Sequence, residues 1–255
     1  MIINLQSSGW EVIYHRAHAL LAAQIAGYWH ANSSFCRTHE TIAAISHHDD
    51  LERGWEDAEI TEAGAPQDFT LENVTVVEDL YKHVDTALYR GRWVALLISM
   101  HLSFLTQAQR EESTAIAEFL ETQEQQQKQW REELEVSQKD AQRAYDFMRW
   151  CDRLSLILCQ RKVPSAGRTL EITTGPEGKA YWIHQLDSGE LTIDPWPFAP
   201  DALTLSIDTC HLTQLQFDSD SALRTALKSA PRQLVTWRLT RPTQSESETK
   251  PSSKD

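Results

Sequence analysis

The first two thirds of the chain carry apolar stripes at helical spacing, separated by short polar connections. Between His15 and Trp29 the stripe predicts one helix, and similar patterns predict helices over residues 40–48, 71–89 and 93–104 and a helix pair within 111–160. Two short apolar runs flank Ser-Ser-Gly near the N-terminus and predict a β-hairpin of residues 2–5 and 10–14. The polar residues 51–69 predict a long loop, a kind of segment that often has a function.

The pattern changes after about residue 165. Residues 169–239 hold short runs in which apolar and polar residues alternate, with turn residues between most of them, which predicts an antiparallel β-segment. The last residues are rich in Ser, Thr, Glu and Lys and predict a disordered tail. The predicted fold is therefore mainly α, of the α+β type. It has a helical bundle with an N-terminal hairpin over residues 1–165, a small β-segment packed on it over 166–241, and a tail over 242–255.

Composition limits the kinds of function. The 255 residues include 24 Lys and Arg against 37 Asp and Glu, a formal net charge of −13, which argues against general binding to nucleic-acid polymers. No apolar stretch is long enough for a membrane helix, and no secretory signal is visible. The four cysteines (Cys36, Cys151, Cys159 and Cys210) form no CxxC pair. We therefore expect a cytoplasmic protein in which Cys151 and Cys159 are buried as small apolar residues.

Four separated positions carry ionisable residues inside predicted apolar helices: His18, the adjacent His48 and Asp49, His101, and Asp152. Buried ionisable side chains are costly unless they are paired or bind a metal. Imidazole and carboxylate groups together suit divalent Mn, Fe, Ni, Co or Zn. The pattern predicts a metal centre in the helical part, with Asp49 and His101 as candidate catalytic residues. His101 is alternatively a contact to the leaving group.

Simpler interpretations of the same residues stay open. A single histidine on an apolar helix is more often a satisfied core residue than a ligand, and Asp152 next to Arg153 also fits an ordinary salt bridge. Two further residues are candidates for substrate contacts: Trp55 in the long loop, and Arg92, whose guanidinium suits phosphate. His83 lies in the polar string DLYKHVD and is predicted to lie on the surface.

The order of these residues resembles a known pattern. His, His-Asp and Asp on successive helices are similar to the HD-domain superfamily of metal-dependent phosphohydrolases. The strings AISHHDD, ALLISMH and WCDRLSLILC, followed by PWPF, resemble an uncharacterised bacterial family. The resemblance implies an HD-like bundle in which His18, His48, Asp49 and Asp152 hold a metal, with His101 as a further ligand. For the PWPF turn the sequence itself indicates a structural role, docking aromatic side chains onto the core.

Three functions follow as hypotheses. The leading one is a metal-dependent hydrolase that acts on a phosphorylated small molecule or nucleotide with a metal-activated water. The second is a non-catalytic HD-like protein that binds a ligand or a partner through the polar helix around residues 121–135. The third is an HD-type di-iron oxygenase, which needs one more ligand and has His83 as its candidate. A single metal ion is the preferred arrangement.

Overall fold

A computed structural model describes residues 1–30, 37–51, 54–71 and 75–242. Within these ranges the chain forms seven strands and seven α-helices, in the order β1 (Ile2–Gln6), β2 (Gly9–Ile13), α1 (His15–Gly27), α2 (Thr38–His47), α3 (Val77–Leu88), α4 (Arg92–Thr106), α5 (Thr114–Glu133), α6 (Gln138–Cys159), β3 (Leu170–Thr174), β4 (Ala180–Gln185), β5 (Leu191–Asp194), β6 (Ala202–Leu212), α7 (Asp220–Ser229) and β7 (Arg232–Thr240). Short 3-10 turns cover Trp55–Asp57, Phe69–Leu71 and Gln107–Gln109.

The predicted bundle with a small C-terminal β-segment is wrong, because all seven strands form one large mixed sheet. The strand order is β1-β2-β6-β7-β5-β4-β3, every neighbouring pair is antiparallel except β5 and β7, and the sheet curls into a half-barrel. The N-terminal hairpin is therefore not an attachment to a bundle. It extends the sheet that the C-terminal strands build, through the pairing of β2 with β6.

The junction between the hairpin and β6 depends on Gly9. Its φ is +135°, a conformation that side chains disfavour, and an added Cβ would lie 2.0 Å from the carbonyl oxygen of Leu212. Glu11 on the same strand is buried and pairs with the more exposed Arg161, which donates from Nη2 to Oε2 at 2.6 Å and from Nε to Oε1 at 3.1 Å. Asn4 also donates to Oε1 of Glu11, so the buried carboxylate is well satisfied.

The helices surround α4, the most apolar of them, as its sequence predicts. α4 packs against α2, α3, α5 and α6, while α1 packs against α2, α6 and β6. Serine hydroxyls cap three helices by accepting backbone N–H groups, at Ser113 for α5, Ser137 for α6 and Ser219 for α7. This packing brings α1, the end of α2, α4 and α6 together on one side of the core.

An aromatic cluster joins the helices to the sheet. Its members pack edge to face with ring centroids between 4.8 and 6.4 Å apart: Trp29, Phe147, Trp150, Tyr181 and Phe198. Phe198 belongs to the turn that contains the cis peptide between Asp194 and Pro195, and its side chain is fully buried. The prediction that the PWPF turn docks aromatic side chains onto the core is confirmed.

Several local predictions need correction. α7 was not predicted, and the string LTQLQF, expected as a separate strand, contributes only Leu212 to the end of β6. α3 begins at Val77 rather than at Leu71, and Phe69–Leu71 forms a 3-10 turn instead. The division of the chain into segments that end at residues 165 and 241 stays a prediction.

The remaining expectations concern cysteines, the tail and membranes. Cys151, Cys159 and Cys210 are free and buried, which confirms the prediction for Cys151 and Cys159. Cys36 and the tail from residue 243 lie outside the described residues. Among the helices that the structure describes, none combines the length and the apolar character that a bilayer span requires.

Candidate metal centre

Four helices bring the five predicted ligands together. His18 lies on α1, His48 directly follows α2 with Asp49 beside it, His101 lies on α4, and Asp152 on α6. They form two overlapping groups in which one ligand atom of each residue lies within 4.8 Å of the others. These groups are His18, His48 and Asp49, and His48, His101 and Asp152. The three imidazoles are buried, whereas the side chains of Asp49 and Asp152 are 29% and 13% exposed. The site thus opens to solvent on the side of Asp49.

A hydrogen-bond chain through Ser155 orients the ring of His18. Oγ of Ser155 donates to the carbonyl oxygen of Asp152 at 2.8 Å, and Nδ1 of His18 lies 2.7 Å from the same Oγ. Because the serine proton is directed at the carbonyl, Oγ accepts a hydrogen bond from the Nδ1–H group of His18. The neutral ring therefore carries its lone pair on Nε2, which faces the carboxylates of Asp49 at 3.3 Å and Asp152 at 3.5 Å.

His48 is oriented in the same way by the backbone. Its Nδ1 lies 2.6 Å from the carbonyl oxygen of Ile45, which can only accept, so Nδ1 donates. In the neutral ring the lone pair is again on Nε2, 3.2 Å from Oδ1 of Asp152. Metal-binding histidines commonly use one ring N–H in this manner, which fixes the other nitrogen toward the ion.

The separations of these atoms fit a shared cation. Nitrogen and oxygen ligands at about 2.1 Å from one ion stand roughly 3.0 to 3.4 Å from each other. Oδ1 of Asp152 lies 3.2 Å from Nε2 of His48 and 3.5 Å from Nε2 of His18, and Nε2 of His18 lies 3.3 Å from Oδ2 of Asp49. Two imidazole lone pairs facing two carboxylates need a positive charge between them. A divalent ion of the Mn, Fe, Ni, Co or Zn type suits this donor set.

The ionisation of the group leads to the same conclusion. Burial lowers the pKa of His48, but the nearby carboxylate of Asp152 more than offsets this and raises the pKa to about 9. Burial raises the pKa of Asp152, and the imidazoles of His48, His18 and His101 reverse the shift and lower it. The pKa of Asp49 is also lowered, by His15 and His18 against the effect of burial. In the metal-free protein, a proton thus supplies the positive charge that an ion would supply.

His101 completes the second group from α4. Burial, with a contribution from the neighbouring His48, lowers its pKa to about 4, so the ring is neutral near pH 7. A neutral imidazole is the form that binds metals. Its Nδ1 is buried and has no hydrogen-bond partner among the described residues. The catalytic roles predicted for His101 and Asp49 stay predictions.

His15 is a neighbour of the candidate ligands that sequence reasoning missed. Nδ1 of His15 lies 3.4 Å from Oδ2 of Asp49, and the His15 ring is edge to face with the ring of His18 on the same helix. Its spacing of three residues from His18 on a helix is the signal that could have found it. His47 contacts Asp50 through Nδ1, and Arg16 lies 3.4 Å from Asp50 on its other side. These contacts hold the turn after α2 against α1.

The surface position predicted for His83 is wrong. His83 is 4% exposed, its Nε2 lies 3.2 Å from the carbonyl oxygen of His48, and its ring packs beside that of His47. Because that nitrogen donates to the backbone carbonyl, His83 supports the turn that carries His48 and Asp49. The structure gives no support to His83 as the additional ligand that the oxygenase hypothesis requires.

The two candidate substrate residues lie elsewhere. Arg92 begins α4, nine residues and about 13 Å of helix before His101. Its Nη1 donates to Oε2 of Glu133 at 2.8 Å in an exposed ion pair. Trp55 begins a 3-10 turn that packs against α7, and its side chain is 37% exposed. Neither residue belongs to the two ligand groups, and their predicted substrate contacts stay untested.

Replacing Ser155 with Ala is expected to weaken metal binding about 10- to 100-fold, because Nδ1 of His18 loses its acceptor. The change is read by competition with a metallochromic chelator and by the ¹⁵N shifts of the His18 ring, which report the tautomer. Ser99→Ala is the matched control, since Ser99 is equally buried in a helix and accepts from Gln127 instead. Equal metal affinity in both variants would contradict this positioning role.

Comparison with known proteins identifies the family. The family described as "Protein of unknown function (DUF3891)" matches residues 1–214. The chain belongs to the DUF3891 family. A search of the curated proteins found no match, and neither did a search of the solved structures. The resemblance to an uncharacterised family is thus confirmed, whereas the match supplies no support for the HD superfamily. The matched region includes all five residues of the candidate metal centre.

Proposed function

We propose that this DUF3891 protein is a metal-dependent hydrolase of a phosphorylated small molecule or nucleotide. The observation that carries the proposal is the convergence of two oriented Nε2 lone pairs, from His18 and His48, on the carboxylates of Asp49 and Asp152. The order of these residues along the chain, which resembles the HD pattern, supports the same activity.

The donor set is of the kind that supports hydrolysis. His18, His48, Asp49, His101 and Asp152 would hold the ion, each overlapping group offering three protein ligands. Catalytic metal sites typically use three protein ligands and keep a position open for water. When bound, a divalent ion supplies a water of lowered pKa and stabilises the charge that develops on a phosphoryl group.

The chain's own residues have defined tasks in this proposal. Ser155 and the carbonyl of Ile45 hold the two imidazoles in the tautomer that leaves Nε2 free. Asp49, the more exposed of the two carboxylates, would hold the ion on the solvent side, where water can approach. His101, neutral near pH 7, would bind the ion from the α4 side. All four helices that bring these ligands together contribute residues to one hydrophobic core, which keeps them in fixed positions.

The test begins with elemental analysis of the untagged protein, followed by a screen of phosphomonoesters, phosphodiesters and nucleotides with and without a chelator. We expect about one equivalent of a transition metal, turnover that the chelator removes, and restoration by one of Mn, Fe, Ni, Co or Zn. Asp49→Asn should lower both metal retention and turnover, the latter by about a thousandfold, because a neutral amide binds a divalent ion much more weakly than a carboxylate does. Tight metal binding without turnover of any phosphoester would favour a non-catalytic protein, and full activity in Asp49→Asn would reject the proposal.

A further inference from the structure

One face of α6 carries polar atoms that lack partners next to the candidate metal centre. Tyr145 is 4% exposed, and its hydroxyl is buried without a hydrogen-bond partner in the described part of the chain. One turn further along the helix, Nε of Arg149 is also buried and has no hydrogen-bond partner among the described residues. Buried polar atoms are normally paired, so two such donors on one face call for an explanation.

These donors lie beside the metal ligands. Tyr145, Arg149 and Asp152 follow each other at helical spacing, four and then three residues apart, and therefore share one face of α6. The rings of Tyr145 and His101 have centroids 6.2 Å apart across the α4–α6 contact. Nδ1 of His101 is a third buried polar atom without a partner among the described residues. The buried atoms without partners thus lie in a row that begins at Arg149 and ends at His101, a member of the second ligand group.

Phe104 ties the two helices together at the outer end of this face. It follows His101 by three residues on α4 and is 52% exposed. The guanidinium carbon of Arg149 lies 5.3 Å from its ring centroid, and the Tyr145 ring lies 6.4 Å from it. Arg149 is only partly buried, so a ligand can reach it from solvent. The side chain is held by the aromatic ring, which leaves its N–H groups available.

The charge of Arg149 is not neutralised by a carboxylate. Arg92, Arg161 and Arg238 each form an ion pair with a glutamate at 2.8 Å or less. For Arg149, in contrast, no ion pair is present within the ranges that the structure describes. In a chain with a net charge of −13, an arginine that forms no ion pair in the described residues and lies beside a candidate active site favours an anionic ligand.

The protonation state of Tyr145 also suits an anionic ligand. Burial raises the pKa of its phenol, and the charge of Asp152 raises it as well, while Arg149 acts in the opposite direction. The hydroxyl therefore remains protonated near pH 7 and can act as a donor. Together, the guanidinium and the phenol offer directed N–H and O–H groups to oxygen atoms of one anion.

We propose that Arg149 and Tyr145 form an oxyanion subsite, beside His101, that binds the phosphoryl group of the substrate. The inference rests on the proposed hydrolase function, which it deepens by naming the residues that recognise the phosphoryl group. Three geometric observations support it. Arg149 and Tyr145 share one face of α6, both contact Phe104, and the Tyr145 ring lies beside that of His101. A planar guanidinium fork matches two phosphoryl oxygens at once.

Calorimetric titration with inorganic phosphate tests the subsite directly. The protein is used both loaded with Mn²⁺ and free of metal, and the variants are Arg149→Gln, Tyr145→Phe and the control Arg153→Gln. Arg153 lies one turn further along the same helix but is exposed, so its replacement removes the same charge from the solvated surface rather than from the buried donors. We expect Arg149→Gln to weaken phosphate binding roughly 10- to 100-fold and Tyr145→Phe to weaken it less, while Arg153→Gln stays near the wild type.

The outcomes separate this subsite from the metal centre. Phosphate binding that depends on Arg149 in the metal-free protein supports the subsite even if no metal binds, in which case the proposed hydrolase fails alone. Unchanged binding in Arg149→Gln, or an equal loss in Arg153→Gln, overturns the subsite while metal analysis still tests the hydrolase. Malonate is the comparison anion, and tighter binding of malonate than of phosphate overturns the phosphoryl assignment. Thermal unfolding of each variant checks that a loss of binding does not reflect a loss of fold.

Discussion

Asp152→Ala is expected to abolish metal retention and phosphoester turnover while the fold persists. Oδ1 of Asp152 lies within 3.5 Å of Nε2 of both His18 and His48, so this single carboxylate connects the two oriented imidazoles. Its removal takes away one of the two carboxylates that would balance a divalent ion, and it leaves Nε2 of His48 without its carboxylate partner. We expect metal affinity to fall by more than about a hundredfold and turnover by about a thousandfold or more.

The substitution is selective because Asp152 acts through two separate groups. Its side chain serves the site, whereas its backbone carbonyl accepts the Ser155 hydroxyl and remains in the alanine variant. Asp146→Ala is the control, since Asp146 lies on the same helix and its carboxylate accepts only from Gln142 among the described contacts. Elemental analysis after dialysis against a weak chelator, with kcat/KM measured on the same samples, compares the two. Full metal content in Asp152→Ala would remove the basis of the candidate centre.

The candidate site could be predicted because its signal is local. An ionisable residue within an apolar helix stands out in the sequence, and His101 in ALLISMH and Asp152 in WCDRLSLILC are such residues. Hydrophobic periodicity places both toward the core, where burial requires a partner. That these helices meet at one point does not follow from periodicity alone, and the resemblance to an HD order supplied that step.

His83 shows where the same reasoning failed. Its string, DLYKHVD, is polar on average, yet α3 buries Leu80, Val84 and Ala87 together with His83. These positions lie three to four residues apart, so the helical face, rather than the composition of the string, carried the signal. Ser155 was overlooked for a different reason, because a serine in a helix has no pattern that distinguishes an orienting hydroxyl from a solvated one.

The sheet could not be predicted because alternation reveals strands but not their partners. Trp10 of β2 pairs with Leu212 of β6, about 200 residues away, and the parallel contact of Leu191 with Leu239 joins strands that alternation suggests are antiparallel. The close approach at Gly9 is the one sequence feature that such a pairing needs, and a glycine after Ser-Ser is equally expected for a hairpin turn alone.

The metal-free protein is expected to be most stable near pH 6.5 and to lose stability on both sides. Burial lowers the pKa of His83 and of His101 from the ordinary value of 6.5 to about 4. Between pH 6.5 and 4 the unfolded chain therefore binds more protons at these residues, so the free energy of unfolding falls as the pH falls. Each shift corresponds to roughly 3 kcal/mol at most. The lowered pKa values of Asp49 and Asp152 add to the loss below about pH 4.

The expected loss of stability above pH 6.5 arises from His48. Its pKa is raised to about 9, so the folded protein binds more protons than the unfolded chain between pH 6.5 and 9. That stabilisation is complete below pH 6.5 and disappears as the pH rises through 9. A bound metal replaces the proton, and we therefore expect metal-loaded protein to lack the alkaline decline, because its ligands no longer need to be protonated.

Urea unfolding of metal-free and metal-loaded protein at intervals between pH 4.5 and 9.5 measures both sides. His83→Gln keeps a donor for the carbonyl of His48 but removes the titration, so it should flatten the acid side by up to roughly 3 kcal/mol. His39→Gln is the matched control, because His39 is exposed on α2 and its replacement should leave the profile unchanged. An acid decline that is equally steep in His83→Gln would show that burial of His83 does not control it. If the free energy of unfolding still falls above pH 6.5 when metal is bound, His48 is not a ligand of the ion.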